Sequence, residues 1–382
     1  MFFGKQPKKK RALFLTGGGA RGAYQAGVLK AISEIAKTER IPFDIISGMS
    51  AGSINSAFVV SRAQRFQGAT LELEALWKNI KSNDIFDAKM LPLLGAVFRT
   101  ILEVTTHVTP KEGQFFLDTS PLSFFLKKNI DYESLNRNIE NELIDAFELS
   151  TVCYESGEHV SFYNSKKNIS ERTRFRYKTK HTLIDNRHVM ASSALPLFFK
   201  PIKIDHLHYG DGALRNFYPL RSAVSMGADS FLIIDVKEQK NQVVPESEIV
   251  NQGASFGRIL NLFFNTVFLD SIDRDLEMLT TINKNVAALR DKEKAKLVFR
   301  EIDVLVIRPS EDLGQLATEH IKALPILLRH LLKTFGSKRQ SADIISYLLF
   351  EKEYCRILVD LGYSDAMKKE EHIRKFLAAD SD

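Results

Sequence analysis

Two short apolar runs near the start of the chain end in glycine clusters, and helical spacing follows. The first run, Ala12-Leu-Phe-Leu15, stops at Gly17-Gly-Gly-Ala-Arg-Gly22. The second, Phe43-Asp-Ile-Ile-Ser47, stops at Gly48-Met-Ser-Ala-Gly52. Between them Val28, Leu29, Ile32, Ile35 and Ala36 recur at intervals of three and four, the signature of an amphipathic helix. Small residues, Ala51, Gly52, Ser53, Ser56 and Ala57, open the segment after the second cluster and suit a closely packed helix. Strand, turn, helix, twice over, predicts a βαβα unit with a parallel sheet and a right-handed crossover.

Further along, residues 146–154 and 159–163 alternate as a hairpin around Glu155-Ser-Gly-Glu158. Two more buried strands are expected at Phe231–Val236 and Val304–Ile307. Between these strands, Phe256, Ile259, Leu260, Phe263, Phe264 and Val267 predict a long helix within residues 254–284. Residues 65–130 read as helices and loops. Within them Leu91–Val104 is apolar enough for a lid or a membrane-facing element, or for an ordinary packed helix. From Leu313 onward only helices are expected, broken at Gly336 and Gly362. The pattern sets residues 311–382 apart as a helical C-terminal extension of the part spanning 11–310. There is no internal repeat.

Composition narrows the class. An apolar fraction of 44% over 382 residues is that of a globular protein with a core. Two cysteines, Cys153 and Cys355, make no disulfide framework and point to a reducing, cytoplasmic setting. No run of roughly 18 apolar residues exists, so no transmembrane helix is expected. The net charge of +6 is compatible with attraction to anionic lipid. Its basic residues are scattered apart from Lys8–Arg11 and Lys166–Lys180, without a nucleic-acid motif, so no nucleic-acid partner is expected.

The candidate chemistry sits in the glycine clusters. Gly48-Met-Ser50-Ala-Gly52 is a G-x-S-x-G nucleophile elbow, whose flanking glycines allow a sharp strand-to-helix turn that presents Ser50. Gly17-Gly18-Gly19-Ala20-Arg21-Gly22 offers backbone N–H groups at a helix start, where negative charge is favoured. Gly17, Gly19 and Gly22 also fit the dinucleotide fingerprint, but that motif wants an acidic residue ending the second strand. An elbow occupies that position instead.

A serine nucleophile needs a base. Among nine histidines, His320, His330 and His372 follow the elbow in helical segments, whereas an α/β-hydrolase presents its histidine after a strand. Tyr209-Gly-Asp211-Gly212-Ala213 places a carboxylate on a tight turn and is the stronger candidate, with a plain Asp-Gly turn as the alternative. An unperturbed carboxylate is a weak base, which puts the weight of catalysis on oxyanion stabilisation. His206 and His208 share a strand face, but no neighbouring ligands have zinc-like spacing, so no metal site is expected.

Together these blocks resemble the patatin-like phospholipase family, in its bacterial type. Gly17–Gly22 is similar to the family's oxyanion loop, Gly48–Gly52 to its elbow, and Asp211-Gly-Ala213 to its aspartate motif. Ala191–Pro201, Asn216–Leu220 and Gly227–Asp229 agree as well, and the likeness runs from about residue 11 to 310 with its motifs in 12–222. Thr16 and Ala213 depart from common family residues without touching the nucleophile, the base or an anion-binding N–H. The resemblance implies a three-layer α/β fold with a central, mainly parallel sheet. It implies a Ser50–Asp211 dyad without a catalytic histidine, and no cofactor. Its expected activity is lipid acyl hydrolysis with peripheral membrane contact. A non-catalytic lipid-binding protein of the same fold, or an esterase or thioesterase of soluble acyl esters such as acyl-CoA, are the alternatives. Oligomeric state and headgroup preference have no sequence signal.

Overall fold

The two apolar runs form adjacent parallel strands at the centre of a ten-stranded sheet. The computed structural model describes residues 9–87, 117–167, 169, 171–174, 176–239, 259, 262–263, 265–267, 270–290, 300–326, 328–330 and 342–378. Strand β1 (Arg11–Leu15) pairs with β2 (Ile45–Gly48) on one side, and β3 (Ala146–Cys153) extends the parallel set beyond β2. The hairpin partner β4 (His159–Ser165) runs antiparallel to β3, and β5 (Thr173–Arg174) and β6 (Tyr177–His181) finish that edge. A small ribbon, β7 (Ile202–Ile204) and β8 (Leu207–Asp211), adds to β3 beyond the end of β2. On the other side of β1 lie β9 (Ser230–Ile234) and β10 (Asp303–Ile307), both parallel to it. The parallel strands β1, β2, β3, β9 and β10 therefore end on one edge. Side chains Leu13, Ile46, Phe147, Leu232 and Ile233 are fully or almost fully buried, as the apolar runs require.

Helix α1 (Gly22–Ala36) is the crossover between β1 and β2, and α2 (Ala51–Val60) follows the elbow. Helix α3 (Phe66–Asn79) packs on α1, and α4 (Asn186–Ser192) covers the end of β3. Helix α5 (Ser271–Ala287) occupies the last part of the long helical pattern; most residues before it lie outside the described set. Leu91–Val104 and Gly336 lie outside it too.

Near the C-terminus, α6 (Ala342–Leu348) sits on the turn after β1, and α7 (Lys352–Met367) lies along α1. One expectation fails here: Gly362 does not break the helix. A side chain at that position would meet the Tyr24 carbonyl 2.1 Å away, and at Gly27 the Val359 carbonyl at 1.9 Å. Helices α1 and α7 touch backbone to backbone, so Gly362 serves contact rather than termination. The helices after residue 311 are thus packed into the core of the molecule. Strands β5 to β8 were not visible in the hydrophobic pattern, being short and polar or interrupted by Gly210. No helix among the described residues is long and apolar enough to cross a membrane.

Candidate active site

Ser50 joins β2 to α2 with φ 54° and ψ −127°, a backbone conformation that costs a non-glycine residue of order 1–3 kcal/mol. The strain is held by the surrounding hydrogen bonds. Met49 N–H donates to the Leu15 carbonyl at 3.1 Å, and Ser53 N–H to the Ser50 carbonyl at 2.9 Å. Ser50 N–H donates to the Ser192 hydroxyl of α4 at 3.3 Å. The side chain is thereby aimed away from the helix it starts, as the elbow motif requires.

Asp211 ends β8 opposite Thr151 of β3, which places it just past the end of β2 and close to Ser50. It is completely buried. Oδ1 accepts the Ala213 N–H at 3.0 Å, while Oδ2 has no hydrogen-bond partner among the described residues. Burial raises its pKa from 3.8 to about 7, against the opposing pull of the Ser50 hydroxyl and the Ala213 N–H. The hydroxyl is thus near enough to favour the carboxylate without the alignment of a full hydrogen bond. Burial thus lifts the Asp211 carboxyl well above the ordinary carboxylate range assumed from the sequence. The Tyr154 hydroxyl packs over Gly210, and burial with the nearby Asp211 charge pushes its pKa up to about 12.

The loop Gly17–Gly22 runs beside the elbow and turns through a short 3-10 segment, Gly19–Arg21, into α1. A Cβ at Gly17 would lie 2.9 Å from that of Ser50. Gly19 has φ +56°, and a Cβ there would lie 2.2 Å from the Tyr347 carbonyl of α6. The N–H groups of Gly17 and Gly18 donate to no protein acceptor among the described residues.

Arg21 supports the loop from inside the fold. Its guanidinium is buried, donates Nε–H to the Ser346 hydroxyl at 2.7 Å and pairs with Asp343. Its Cζ sits 5.0 Å above the Tyr347 ring. Burial opposes its charge, but Asp343 and the two tyrosines Tyr347 and Tyr354 outweigh that, so it stays fully charged. Asp343 in turn accepts from Asn265 Nδ2 at 2.8 Å. The Arg21 side chain therefore fixes the loop.

An apolar cavity of about 30 Å³ opens at Ser50. Ile54, Trp77, Leu122, Phe125, Phe199 and Phe350 are among its walls, and no histidine is. It has room for little more than a water, so a bound chain must displace side chains. The histidines singled out in the sequence lie elsewhere: His208 is half exposed and paired with Glu155 at 2.7 Å, and His320 faces Glu353. His206, His330 and His372 are exposed or at the surface of turns and helices.

Several residues at the site carry no sequence motif. Ser192, Asp343, Ser346 and Tyr347 come from distant segments. So does Glu148, fully buried on β3, whose pKa burial raises to about 7 despite the hydroxyls of Ser47, Ser161, Ser150 and Ser222. Of these only Ser192 fell in a stretch that the family resemblance singled out, Ala191–Pro201.

Comparison with known proteins gives the arrangement a lineage. Uncharacterized protein YjjU of Escherichia coli is 25% identical over 239 residues, 62% of this chain and 54% of that protein. Patatin-like phospholipase domain-containing protein 7 of Rattus norvegicus is 27% identical over 245 residues, 63% of this chain and 14% of its own length. The chain thus spans about half of the first relative and a small part of the second. Among solved structures, VipD from Legionella pneumophila aligns over 97% of this chain and 72% of its own, with 11% identity and a TM-score of 0.38. The sequence profile described as patatin-like phospholipase matches residues 13–224, a span that begins in β1 and holds the glycine loop, the elbow and the Asp211 turn. With more than half of its length under that profile, this chain is a member of the patatin-like phospholipase family.

Proposed function

We propose that the chain hydrolyses carboxylic esters of lipids, as a phospholipase A or lysophospholipase, through a dyad of Ser50 and Asp211. One observation carries the reading. A strained serine elbow faces a wholly buried carboxyl whose second oxygen lacks a partner and whose pKa lies near neutrality. Asp211 takes the Ser50 proton as Oγ attacks the ester carbonyl carbon. The oxyanion is received by N–H groups of Gly18, Gly19 and Ala20, with Gly17 and Gly22 shaping the loop. The proton then passes from Asp211 to the departing alcohol oxygen as the C–O bond breaks, leaving an acyl-serine. Water attacks that ester, Asp211 again takes the proton, and the fatty acid leaves as Ser50 regains its hydrogen.

The acyl chain is assigned to the apolar cavity at Ser50, entered by displacing Phe125 and Phe350. Such a substrate reaches the site from a membrane surface, with which the mildly basic chain makes peripheral contact. The family membership supports lipid hydrolysis; the dyad and the ester class are our reading.

The test is labelling and product analysis of the purified chain. A fluorophosphonate probe should mark Ser50 alone, and S50A should lose hydrolysis by at least a thousandfold. Products from mixed phospholipid, lysophospholipid, triacylglycerol and acyl-CoA name the ester class. Labelling at another serine, or S50A activity within about tenfold of the native chain, would overturn the assignment.

A further inference from the structure

On the face of the sheet opposite Asp211, a cavity of about 240 Å³ lies beside β4 and β6. Its walls include His159, Tyr177, Arg215, Asn216, Phe217 and Arg221. None of them takes part in the reaction proposed above.

Two features of this cavity call for a ligand. The first is a polar group without a partner. His159 is 3% exposed, and neither ring nitrogen has a hydrogen-bond partner among the described residues. A buried, unsatisfied imidazole is costly and usually signals a missing partner. Burial and the charge of Arg221 hold it neutral, so one nitrogen carries a proton to donate.

The second is positive charge with no direct ion pair among the described residues. Neither Arg215 nor Arg221 forms an ion pair among the described residues. Arg221 lies with its Cζ 5.0 Å from the Tyr177 ring, and that ring stacks on His159 at 5.4 Å and 11°. Arg215 lies 5.8 Å from the Phe217 ring, which is shared with Arg274 at 5.5 Å. Asp275 is within electrostatic reach of Arg221 and Arg274, but its Oδ2 accepts the Leu220 N–H at 2.8 Å. Guanidinium groups posed on aromatic rings beside a neutral imidazole donor suit a phosphate oxygen array better than a single carboxylate.

We infer that this cavity binds the phosphate group of a phosphomonoester, held by Arg215 and Arg221 with the His159 N–H as an added donor. Two sources share that chemistry, a lipid headgroup and a soluble phosphate ester. Half-exposed Phe217 and Tyr218 stand at the rim, where either a glycerol backbone or a sugar would rest. The site lies behind the turn that carries Asp211: Asn216 Nδ2 donates to Ser150 Oγ at 2.9 Å, and Gly212 presses on Ser150.

Binding is read without hydrolysis, so its failure and that of the ester-hydrolase reading are separable. Calorimetric titration of the full chain with inorganic phosphate should saturate. R221Q and R215Q should each weaken it by about tenfold or more, the loss expected for one charge-assisted hydrogen bond. H159F keeps the stack on Tyr177 but has no N–H; it should weaken phosphate several-fold while its melting temperature without phosphate does not fall. A purely structural His159 would leave the titration unchanged. Glycerol 3-phosphate binding in solution identifies a soluble ester. Co-sedimentation with phosphatidylcholine vesicles only when they contain phosphatidic acid, lost in R221Q, identifies a headgroup. Phosphate that binds R221Q, R215Q and H159F as tightly as the native chain resides at the Gly17–Gly22 loop, and overturns the site. No saturable binding to the folded native chain overturns it equally.

Discussion

At the scale of single residues, activity and stability are set against each other at Asp211. Its carboxyl is protonated in both folded and unfolded chains well below pH 4. From there to about pH 7 only the folded chain keeps the proton, so stability falls as pH rises through this window. Above it the folded state carries the whole cost of a buried charge, on the order of 4 kcal/mol for the rise from 3.8 to about 7. The proposed mechanism needs that same ionised form. D211N should therefore abolish activity and yet melt higher than the native chain at pH 8, the gap closing toward pH 5. An equal or lower melting temperature at pH 8 would argue against a buried ionised base. The acidic limb of kcat/KM should fall near pH 7 rather than near 4. That limb alone no longer separates Asp211 from a histidine, so single His→Gln changes at 206, 208, 320, 330 and 372 must do so, each keeping most activity. At Ser50 the backbone strain makes a second prediction. S50G and S50A both lose the nucleophile, but glycine relaxes φ 54°, so S50G should be the more stable by about 1 kcal/mol in denaturant unfolding. Both residues were legible in the sequence because glycine spacing marks them. The pKa was not, since burial is a property of the assembled chain.

Between elements, the Gly17–Gly22 loop is held from outside. It leaves β1 and enters α1, but the groups that fix it, Asp343, Ser346 and the Tyr347 carbonyl, belong to α6. D343A leaves the Arg21 guanidinium buried without its carboxylate, at a cost of roughly 3 kcal/mol. D343N, which keeps the shape, should lower kcat by about tenfold or more with a smaller change in KM, because a loosened loop loses transition-state contacts rather than ground-state ones. A parallel fall in Ser50 labelling rate checks this. Along α1, G27A drives a methyl group into the Val359 carbonyl of α7 and should cost about 1–3 kcal/mol in thermal unfolding. The sequence displayed β1, β2 and β9 through continuous apolar runs, since strands buried on both faces cannot alternate; β10 carries the same kind of run but lies at the sheet edge and, against expectation, is only partly buried. It hid β8, the strand that delivers Asp211, because Leu207-His-Tyr-Gly-Asp211 is short and mixed and gains its order only by pairing with β3 and β7. It likewise hid the role of Gly362, where a helix-breaking residue serves a close helix crossing.

Taken whole, the molecule closes its site with residues from both ends of the chain. The motifs lie between residues 13 and 224, and a sequence reading naturally set the helices after 311 apart as an extension. The folded chain sets α6 on the Gly17–Gly22 loop, puts Phe350 and Tyr347 in the cavity at Ser50, and lays α7 along the first crossover helix. We propose that 11–310 is a structural part rather than an independent catalytic unit; a chain cut after residue 310 should unfold at markedly lower denaturant. Sequence separation hid this, because contacts such as Arg21 to Ser346 span 325 positions and leave no local pattern. That span also sets a clock on synthesis. A ribosome releases β1, the elbow and Asp211 long before it releases Asp343 to Phe350, so a nascent chain carries every motif residue while its Gly17–Gly22 loop is still unbraced. On the proposed mechanism the chain is silent through most of its own translation and switches on near the end. Chains stalled on ribosomes with residues beyond 330 still in the exit tunnel should resist the fluorophosphonate probe, and should take it up once release lets α6 dock.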